Sequence, residues 1–348
     1  MKSSKTSKKT PVAVLGATGT VGQRFLTLLE DHPWFEVTAL TASERSQGKL
    51  YRDAARWIQS TPLPERFAAM EVLPTAPPLD CPLVFSALDA SVAGEAETAF
   101  AQAGHLVVSN AKSHRLDPDV PLVIPEVNAA HLELARRSPH APGAIVTNPN
   151  CSTIGLVLAL KPLADAFGIK KVSVVTMQAI SGAGLPGVAS YEIADNVVPY
   201  IPGEEDKMQA ETRKILGDDD LVLSAQCNRV PVLDGHLQCV SVELGRKADE
   251  TAVRDAWERF EAEPQKLDLP SAPKRPVHYL EGCAAPQPRL HRDLEKGMAA
   301  TVGRLRPCPL FDYKFVTLSH NTLRGAAGGA LLLAELAVAR GLLETAPT

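Results

Sequence analysis

The segment Gly16-Ala-Thr-Gly-Thr-Val-Gly22 constrains the fold most strongly, because it directly follows an apolar, strand-like run at Val12–Leu15. Downstream of it, apolar residues recur at helical spacing at positions 21, 25, 28 and 29, and a second apolar run covers Phe35–Thr41. A strand, a glycine-rich turn, a helix and a second strand form the context that a dinucleotide-binding fingerprint requires. The sequence therefore predicts a nucleotide-binding module near its beginning.

Strands and helices continue to alternate after this unit. Apolar runs at Leu83–Leu88 and His105–Ser109 predict strands, and the alanine-rich stretch Ala90–Ala103 between them predicts a helix. Such alternation is typical of a parallel, doubly wound sheet of the Rossmann type. The proline-rich stretch Thr61–Pro82 is predicted to be a loop with little regular structure.

The pattern changes after residue 150. The valine-rich run Lys170–Ile180 predicts a strand, and Arg229–Val242 predicts a strand pair around Asp234-Gly235-His236. Elements further along are predicted as a helix at 251–263, strands at 302–305 and 313–318, and a C-terminal helix at 330–343. We expect an α/β protein in which residues 1–150 and 320–348 form the Rossmann-type domain. Residues 151–319 are expected to form an α+β domain with a mixed sheet.

Composition excludes several classes of protein. The net charge of -4 offers no basic surface for nucleic acid or for a membrane. The six cysteines contain no C-x-x-C pair, which argues against a zinc ribbon, and they are too few for a disulfide framework in 348 residues. The segment Met1–Thr10 is not followed by the apolar region of a signal peptide, so we expect a disordered tail on a cytoplasmic protein.

Cys151 lies where a predicted strand, Ala144–Thr147, gives way to apolar residues at helical spacing. The free N–H groups and the dipole at a helix start favour an anion, so a thiol there loses its proton more easily. The same N–H groups can hold a developing oxyanion. We therefore predict covalent chemistry at Cys151; the alternative is a buried structural cysteine.

Six motifs occur in order along the chain: Gly16-Ala-Thr-Gly-Thr-Val-Gly22, Asn148-Pro-Asn-Cys-Ser-Thr153, Gln178-Ala-Ile-Ser-Gly-Ala-Gly184, Gly203-Glu-Glu-Asp-Lys207, Arg229-Val-Pro-Val-Leu-Asp-Gly-His236 and Asn321-Thr-Leu-Arg-Gly-Ala-Ala-Gly328. Together they resemble aspartate-semialdehyde dehydrogenases of the branch found in archaea, fungi and some bacteria. The resemblance implies NADPH-dependent reductive dephosphorylation of β-aspartyl phosphate to aspartate semialdehyde. That reaction leads to lysine, threonine, methionine and isoleucine.

The resemblance also implies roles for single residues. Cys151 matches the nucleophile that forms a thioester, His236 matches the acid/base histidine, and Gln178 matches a glutamine that orients the acyl group. Arg229 matches the anchor of the substrate carboxylate, since a guanidinium grips a carboxylate with two hydrogen bonds. The other substrate-binding residues implied are Asn110, Arg115, Asn150, Glu204 and Lys207. For Glu204 and Lys207 the alternative is a solvated charge run, and for Arg115 it is a solvated basic loop.

The cofactor implied by the resemblance is NADP, with no metal. The residues expected to bind it are Gly16, Thr18, Gly19, Thr20, Val21, Ser43, Arg45, Ser86, Ser181, Gly182, Asn321 and Gly325. Ser43 and Arg45 follow the second strand and suit a 2′-phosphate, whereas Glu44 between them suits the free ribose of NAD.

Three rival functions remain open at this point. Archaeal malonyl-CoA reductases resemble the same branch. N-acetyl-glutamyl-phosphate reductases share the architecture, but their cysteine motif usually has Asn-Pro-Gly-Cys-Tyr, from which Asn150 and Ser152 depart. A non-catalytic NADP-binding sensor is the rival from another class. The family also implies a homodimer or homotetramer with the second domain at the interface.

Overall fold

The computed structural model describes residues 9–343, which form two compact units. The first unit contains the described residues within Met1–Pro121, Leu132–Thr147 and Ala330–Thr348. The second contains Leu122–His131 and Asn148–Gly329. Most of the predicted N-terminal tail lies outside the described residues, and Thr10 already belongs to the first strand. The functional division predicted at residues 150 and 320 stays a prediction.

The first unit is built on six parallel strands in the order β3-β2-β1-β4-β5-β6. The strands are β1 (Thr10–Leu15), β2 (Phe35–Ala42), β3 (Val72–Pro74), β4 (Leu83–Ser86), β5 (Leu106–Ser109) and β6 (Ala144–Thr147). All residues of β4, β5 and β6 are buried, as expected for apolar strands of a parallel sheet covered on both faces. The predicted parallel, doubly wound sheet is confirmed, and the strand order reverses between β1 and β4.

Four helices of the first unit are α1 (Thr20–Leu29), α2 (Tyr51–Ala54), α3 (Glu65–Ala68) and α4 (Ala90–Gln102). Asp89 caps α4 by accepting the N–H of Ser91 at 2.9 Å. The stretch Thr61–Pro82, predicted as a loop with little regular structure, contains two short elements, α3 and β3. Its prolines obscured β3, a three-residue edge strand that pairs only with β2 and ends at Pro74.

The second unit is built on a mixed sheet in the order β10-β11-β12-β9-β7-β8. Its strands are β7 (Ile169–Gln178), β8 (Val222–Arg229), β9 (His236–Leu244), β10 (Val277–Leu280), β11 (Ala300–Pro307) and β12 (Tyr313–Ser319). β7 runs parallel to β8 and antiparallel to β9, and β12 is antiparallel to both of its neighbours. The predicted mixed sheet is confirmed.

The predicted strand pair at Arg229–Val242 was wrong in one respect. Residues 230–235 form a connection, and β7 lies between β8 and β9, so these two strands do not pair with each other. Pro231 has no N–H to give to a strand ladder, and Gly235 has a φ of +99°. The connection instead brings the end of β8 and the start of β9 to the same end of β7, one on each side of it.

Helices of the second unit are α5 (Pro125–Asn128), α6 (Cys151–Phe167), α7 (Ser190–Ile193), α8 (Glu204–Leu216), α9 (Glu250–Glu258), α10 (Glu263–Lys266) and α11 (Pro288–His291). Helix α6 is buried along nearly its whole length, and Leu156–Leu160 have no exposed surface. The indole N–H of Trp257 donates to the carbonyl of Ala159 at 2.8 Å. This packing fixes the position of α6, and Cys151 is its first residue.

The last helix, α12 (Gly328–Ala339), follows a π-helical turn at Leu323–Ala327. A helix was predicted at 330–343, so α12 begins two residues earlier than predicted and ends four residues earlier than predicted. Within the first unit, buried Glu335 lies 2.8 Å from Nε2 of His32, whose Nδ1 accepts the N–H groups of Trp34 and Phe35. The ring proton is therefore on Nε2 and is donated to Glu335, which ties α12 to the start of β2.

Candidate active site

Cys151 is the first residue of α6, and three residues separate it from the end of β6. Its neighbour Asn150 is the N-cap and accepts the N–H groups of Ser152 at 2.9 Å and Thr153 at 3.3 Å through Oδ1. The predicted strand-to-helix position of Cys151 is thus confirmed. The thiol is half-buried at the positive end of a seventeen-residue helix, which favours a thiolate.

His236, the first residue of β9, lies beside this thiol, with Nε2 at 3.2 Å from Sγ of Cys151. The backbone N–H of Ala179 donates to Nδ1 of the same ring at 3.0 Å. Because Nδ1 accepts, the proton of the neutral ring is on Nε2 and points at the sulfur. Burial, followed by the charge of Arg229, lowers the pKa of His236 to about 3, so the ring is neutral at physiological pH.

Arg229 ends β8 next to Gln178, the last residue of the parallel strand β7. Its Nη1 donates to the carbonyl of Ala179 at 2.8 Å, and the side chain is 8% exposed. A Cβ on Gly182 would lie 2.8 Å from Nη1 of Arg229 and 3.2 Å from Cε1 of His236. The guanidinium and imidazole groups therefore leave no room for a side chain at Gly182.

Glu204, at the start of α8, accepts hydrogen bonds from three side chains around the thiol. Oε1 lies 2.9 Å from Nδ2 of Asn150, 3.2 Å from Oγ of Ser152 and 3.3 Å from Nε2 of Gln178. Oε2 receives Nζ of Lys207 at 3.3 Å. Burial raises the pKa of the Glu204 carboxyl, but the charge of Lys207 and the hydrogen bond from Asn150 outweigh it, so the pKa lies below its usual value.

Two predicted cofactor residues near the C-terminus also border this cluster. Asn321 donates from Nδ2 to Oγ of Ser181 at 2.8 Å and accepts the N–H of Gly235 at 2.8 Å. A Cβ on Gly325 would lie 2.6 Å from Cβ of Cys151. The second unit thus brings together all the predicted catalytic residues, with Arg229, Asn150, Glu204, Lys207, Ser181, Gly182, Asn321 and Gly325.

The remaining predicted residues lie in the first unit, where the glycine-rich turn joins β1 to α1. Gly16 has a φ of +72°, and a Cβ there would lie 2.6 Å from the carbonyl oxygen of Ala87. A Cβ on Gly22 would lie 2.3 Å from the carbonyl oxygen of Gly16.

The buried Oγ1 of Thr20 has no hydrogen-bond partner among residues 9–343, and Gly19 leaves the start of α1 without a side-chain cap. Open N–H groups and an unsatisfied hydroxyl at a helix start suit a pyrophosphate. Thr18 and Val21 belong to the same turn.

Other predicted residues of this unit stand at the ends of three strands. Ser43 and Arg45 are exposed in the turn after β2. Ser86, at the end of β4, is buried and donates to Oε1 of Glu97 at 2.6 Å. Asn110 follows β5, and its carbonyl accepts Nη2 of Arg115 at 2.6 Å. Ser86 is therefore engaged in the interior, whereas Ser43 and Arg45 are open to a ligand.

Comparison with known proteins gives a consistent result along the chain. Residues 11–135 match the family model described as semialdehyde dehydrogenase, NAD binding domain, and residues 160–324 match semialdehyde dehydrogenase, dimerisation domain. An aspartate-semialdehyde dehydrogenase of Schizosaccharomyces pombe is 49% identical over 352 residues, covering 95% of this chain and 99% of the relative. One from Methanothermobacter thermautotrophicus is 50% identical, with 93% and 98% covered. The chain belongs to the aspartate-semialdehyde dehydrogenase family.

A solved structure agrees with this assignment. The crystal structure of aspartate semialdehyde dehydrogenase with NADP from Candida albicans superposes with a TM-score of 0.90 at 44% identity. The match covers 97% of this chain and all of that one. The family resemblance predicted from six motifs is therefore confirmed, and so is the two-part architecture of a Rossmann-type domain and a mixed-sheet domain.

Several residues that shape the site were not predicted from the sequence. Glu211 accepts the backbone N–H of Asn150 at 2.6 Å, and Ala179 sets the tautomer of His236. The guanidinium of Arg324 forms a buried two-point ion pair with Glu126, which holds the turn that carries Gly325. No such role is visible in a backbone amide or a helical glutamate, although the seven-residue spacing of Glu204 and Glu211 places both on one helix face.

Two absences concern the described residues only. No group of three or more histidine, cysteine, aspartate or glutamate side chains within residues 9–343 is arranged to hold a metal ion. In the same range, no helix is both long and apolar enough to cross a membrane.

Proposed function

We propose that this protein catalyses the NADPH-dependent reductive dephosphorylation of β-aspartyl phosphate to aspartate semialdehyde. The observation that carries the proposal is the 3.2 Å approach of His236 Nε2 to Cys151 Sγ at the start of α6. A thiolate at a helix start, hydrogen-bonded by an imidazole N–H, is an activated nucleophile for an acyl group. The names of the relatives specify the acyl group as aspartyl.

In the first half-reaction, Sγ of Cys151 attacks the acyl carbon. A C–S bond forms, the C–O bond to phosphate breaks, and phosphate leaves with the electron pair. The N–H groups at the start of α6 and Nε2–H of His236 donate to the oxygen as it gains charge.

In the second half-reaction, NADPH, when bound, supplies the hydride that reduces the resulting thioester. The tetrahedral alkoxide on Cys151 then re-forms its C=O bond and expels the thiolate.

This scheme gives His236 a narrower role than the acid/base role predicted from the resemblance. The N–H of Ala179 occupies Nδ1, so the ring serves as a neutral donor through Nε2. Expulsion of a thiolate from an alkoxide needs no proton. We therefore infer that His236 stabilises, by one hydrogen bond, first the thiolate and then the oxyanion.

The substrate's polar groups have candidate partners of matching charge. Arg229 is proposed for the α-carboxylate because its guanidinium lies in the same cluster as the thiol. Glu204 and Lys207 are proposed for the ammonium and phosphate groups, with Asn110 and Arg115 as further phosphate ligands and Asn150 and Gln178 orienting the acyl group. An acyl phosphate uses these charges more fully than a CoA thioester does.

NADP is the proposed cofactor. The cradle at Gly16, Gly19 and Thr20, with Thr18 and Val21, fits the pyrophosphate. Exposed Ser43 and Arg45 suit the 2′-phosphate, and the Candida albicans relative was solved with NADP. Ser181, Gly182, Asn321 and Gly325 complete the proposed set, whereas the predicted contact of Ser86 is not proposed for its side chain, because the buried hydroxyl donates to Glu97.

A direct assay tests the proposal. Purified protein is given aspartate semialdehyde, phosphate and NADP⁺, and NADPH formation is followed by absorbance. We expect phosphate-dependent turnover that is lost in Cys151→Ser and retained in Cys283→Ser, which changes an exposed cysteine of the second unit. Activity in Cys151→Ser contradicts the mechanism. No activity in the wild type favours a sensor, and reduction of malonyl-CoA alone favours the CoA-dependent rival.

Self-association is proposed through the second unit, which matches a dimerisation domain. One face of its sheet is left open at Val175 and Cys239, which are opposite each other on β7 and β9, and at Val222 on β8. A second copy of this chain is the proposed occupant, in a homodimer or homotetramer in the cytoplasm. Light scattering should give a multiple of the chain mass for the wild type and a smaller mass for Val175→Asp. An unchanged mass places the interface elsewhere.

A further inference from the structure

Two buried glutamates on α8 face the residue that precedes the proposed nucleophile. Glu204 and Glu211 are seven residues apart, which is about two helical turns, so both lie on one face of the helix. Their exposures are 5% and 1%. Both carboxylates accept a hydrogen bond from Asn150.

Asn150 is held at every polar group that determines its orientation. Its backbone N–H donates to Oε2 of Glu211 at 2.6 Å, and its Nδ2 donates to Oε1 of Glu204 at 2.9 Å. Its Oδ1 accepts two N–H groups at the start of α6. The backbone bond is the shortest of the set and involves a carboxylate, the stronger class of acceptor.

We propose that Glu211 is a positioning residue for Cys151, acting through the backbone N–H of Asn150. Fixing that N–H fixes the peptide plane that enters Asn150, and the next residue along the chain is Cys151. Without the carboxylate, a buried N–H is left without its partner and the chain turns to find another. The sulfur then leaves its 3.2 Å contact with His236.

This role differs from simple packing of α8 against α6. A packing residue contributes to stability through its volume, so any isosteric replacement that fits should serve. A positioning acceptor must present an oxygen to Asn150. Glu211→Gln keeps a carbonyl oxygen at the end of the side chain, whereas Glu211→Leu keeps similar bulk and offers no acceptor.

The inference rests on the proposed nucleophilic role of Cys151, but its test does not need the substrate. Iodoacetamide alkylation is measured at single cysteines by peptide mass spectrometry in the full-length protein. We expect alkylation of Cys151 to slow by about tenfold or more in Glu211→Leu and to stay within about twofold in Glu211→Gln. The exposed Cys283, which lies outside the proposed dimer face, reports reagent activity in every sample.

Thr212→Val is the matched control on the same helix. Thr212 is fully buried, and its hydroxyl has no hydrogen-bond partner among the described residues. It should leave Cys151 alkylation unchanged whatever its effect on melting temperature. In turnover assays, Glu211→Leu should lower kcat with little change in the KM for NADPH.

The outcomes separate the two levels of the proposal. An unreactive Cys151 in the wild type removes the proposed function itself. Equal Cys151 reactivity in the wild type and a folded Glu211→Leu protein overturns the positioning role and leaves the proposed function standing. Equal slowing in the Gln and Leu variants also overturns it, because both then act through packing rather than through the acceptor.

Discussion

The backbone N–H of Ala179 donates to Nδ1 of His236 at 3.0 Å, so a main-chain group decides which ring nitrogen carries the proton. A side-chain substitution at Ala179 cannot turn this backbone N–H into an acceptor. A protonated imidazolium would place a second N–H against the first, and burial already lowers the pKa of the ring to about 3. The histidine facing Cys151 is therefore built as a neutral donor.

Substitution of His236 distinguishes a donor from an acid/base group. His236→Gln keeps an amide N–H at the end of the side chain, whereas His236→Leu has no polar group. We expect kcat in the Leu variant to fall by about 10²–10³, as for loss of one oxyanion donor, and the Gln variant to retain at least about ten times more activity than Leu. Equal losses in steady-state assays would support proton transfer instead.

The same ring should make the fold less stable as the pH is lowered. His236 has a pKa of about 3 when folded and about 6.5 when unfolded, so the unfolded chain binds the extra proton between these values. The wild type should lose about 2 kcal/mol of unfolding free energy from this group by pH 5. Urea titrations at pH 7.5 and 5 should show a smaller loss in His236→Gln. An identical loss contradicts the lowered pKa.

Gly325 should tolerate no side chain. The Cβ of Gly325→Ala would lie 2.6 Å from Cβ and 3.0 Å from Cα of Cys151, and the buried Arg324–Glu126 pair prevents the turn from moving away. We expect kcat to fall about 10²-fold, because misplacement by about 1 Å has that cost. Gly94→Ala, where the nearest neighbour is at an ordinary 3.5 Å, is the control and should keep full activity.

Arg45 should select NADPH over NADH. If its guanidinium binds the 2′-phosphate, Arg45→Ala should raise the KM for NADPH about tenfold or more and leave the KM for NADH nearly unchanged. Arg52→Ala removes another exposed arginine, on α2, and is expected to affect neither constant. Parallel increases for both cofactors would assign Arg45 a general role in folding or binding.

The features predictable from the sequence were those with a short-range signal. The turn at Gly16 lies between a strand and a helix, and the position of Cys151 follows from the end of β6 and the periodicity of α6. Both depend on a few consecutive residues. The edge strand β3 was not predicted, because three residues in a proline-rich stretch carry too weak a pattern.

Long-range partners were not predictable in this way. The separation of β8 from β9 by β7 depends on sheet pairing between distant segments. The contacts of Asn150 with Glu211 and of His236 with Ala179 span 61 and 57 positions, and one partner in each is a backbone N–H that every residue except proline has. Only the fold reveals which amide is used.

The tie between His32 and Glu335 joins positions 303 residues apart inside the first unit. A ribosome makes the strands of that unit's sheet before most of the second unit, but it makes α12 only after nearly all of the second unit. The sheet that emerges first is thus the last to receive its final packing element. A nascent chain that stops shortly before α12 contains nearly all of the second unit and leaves the nucleotide-binding unit unfinished.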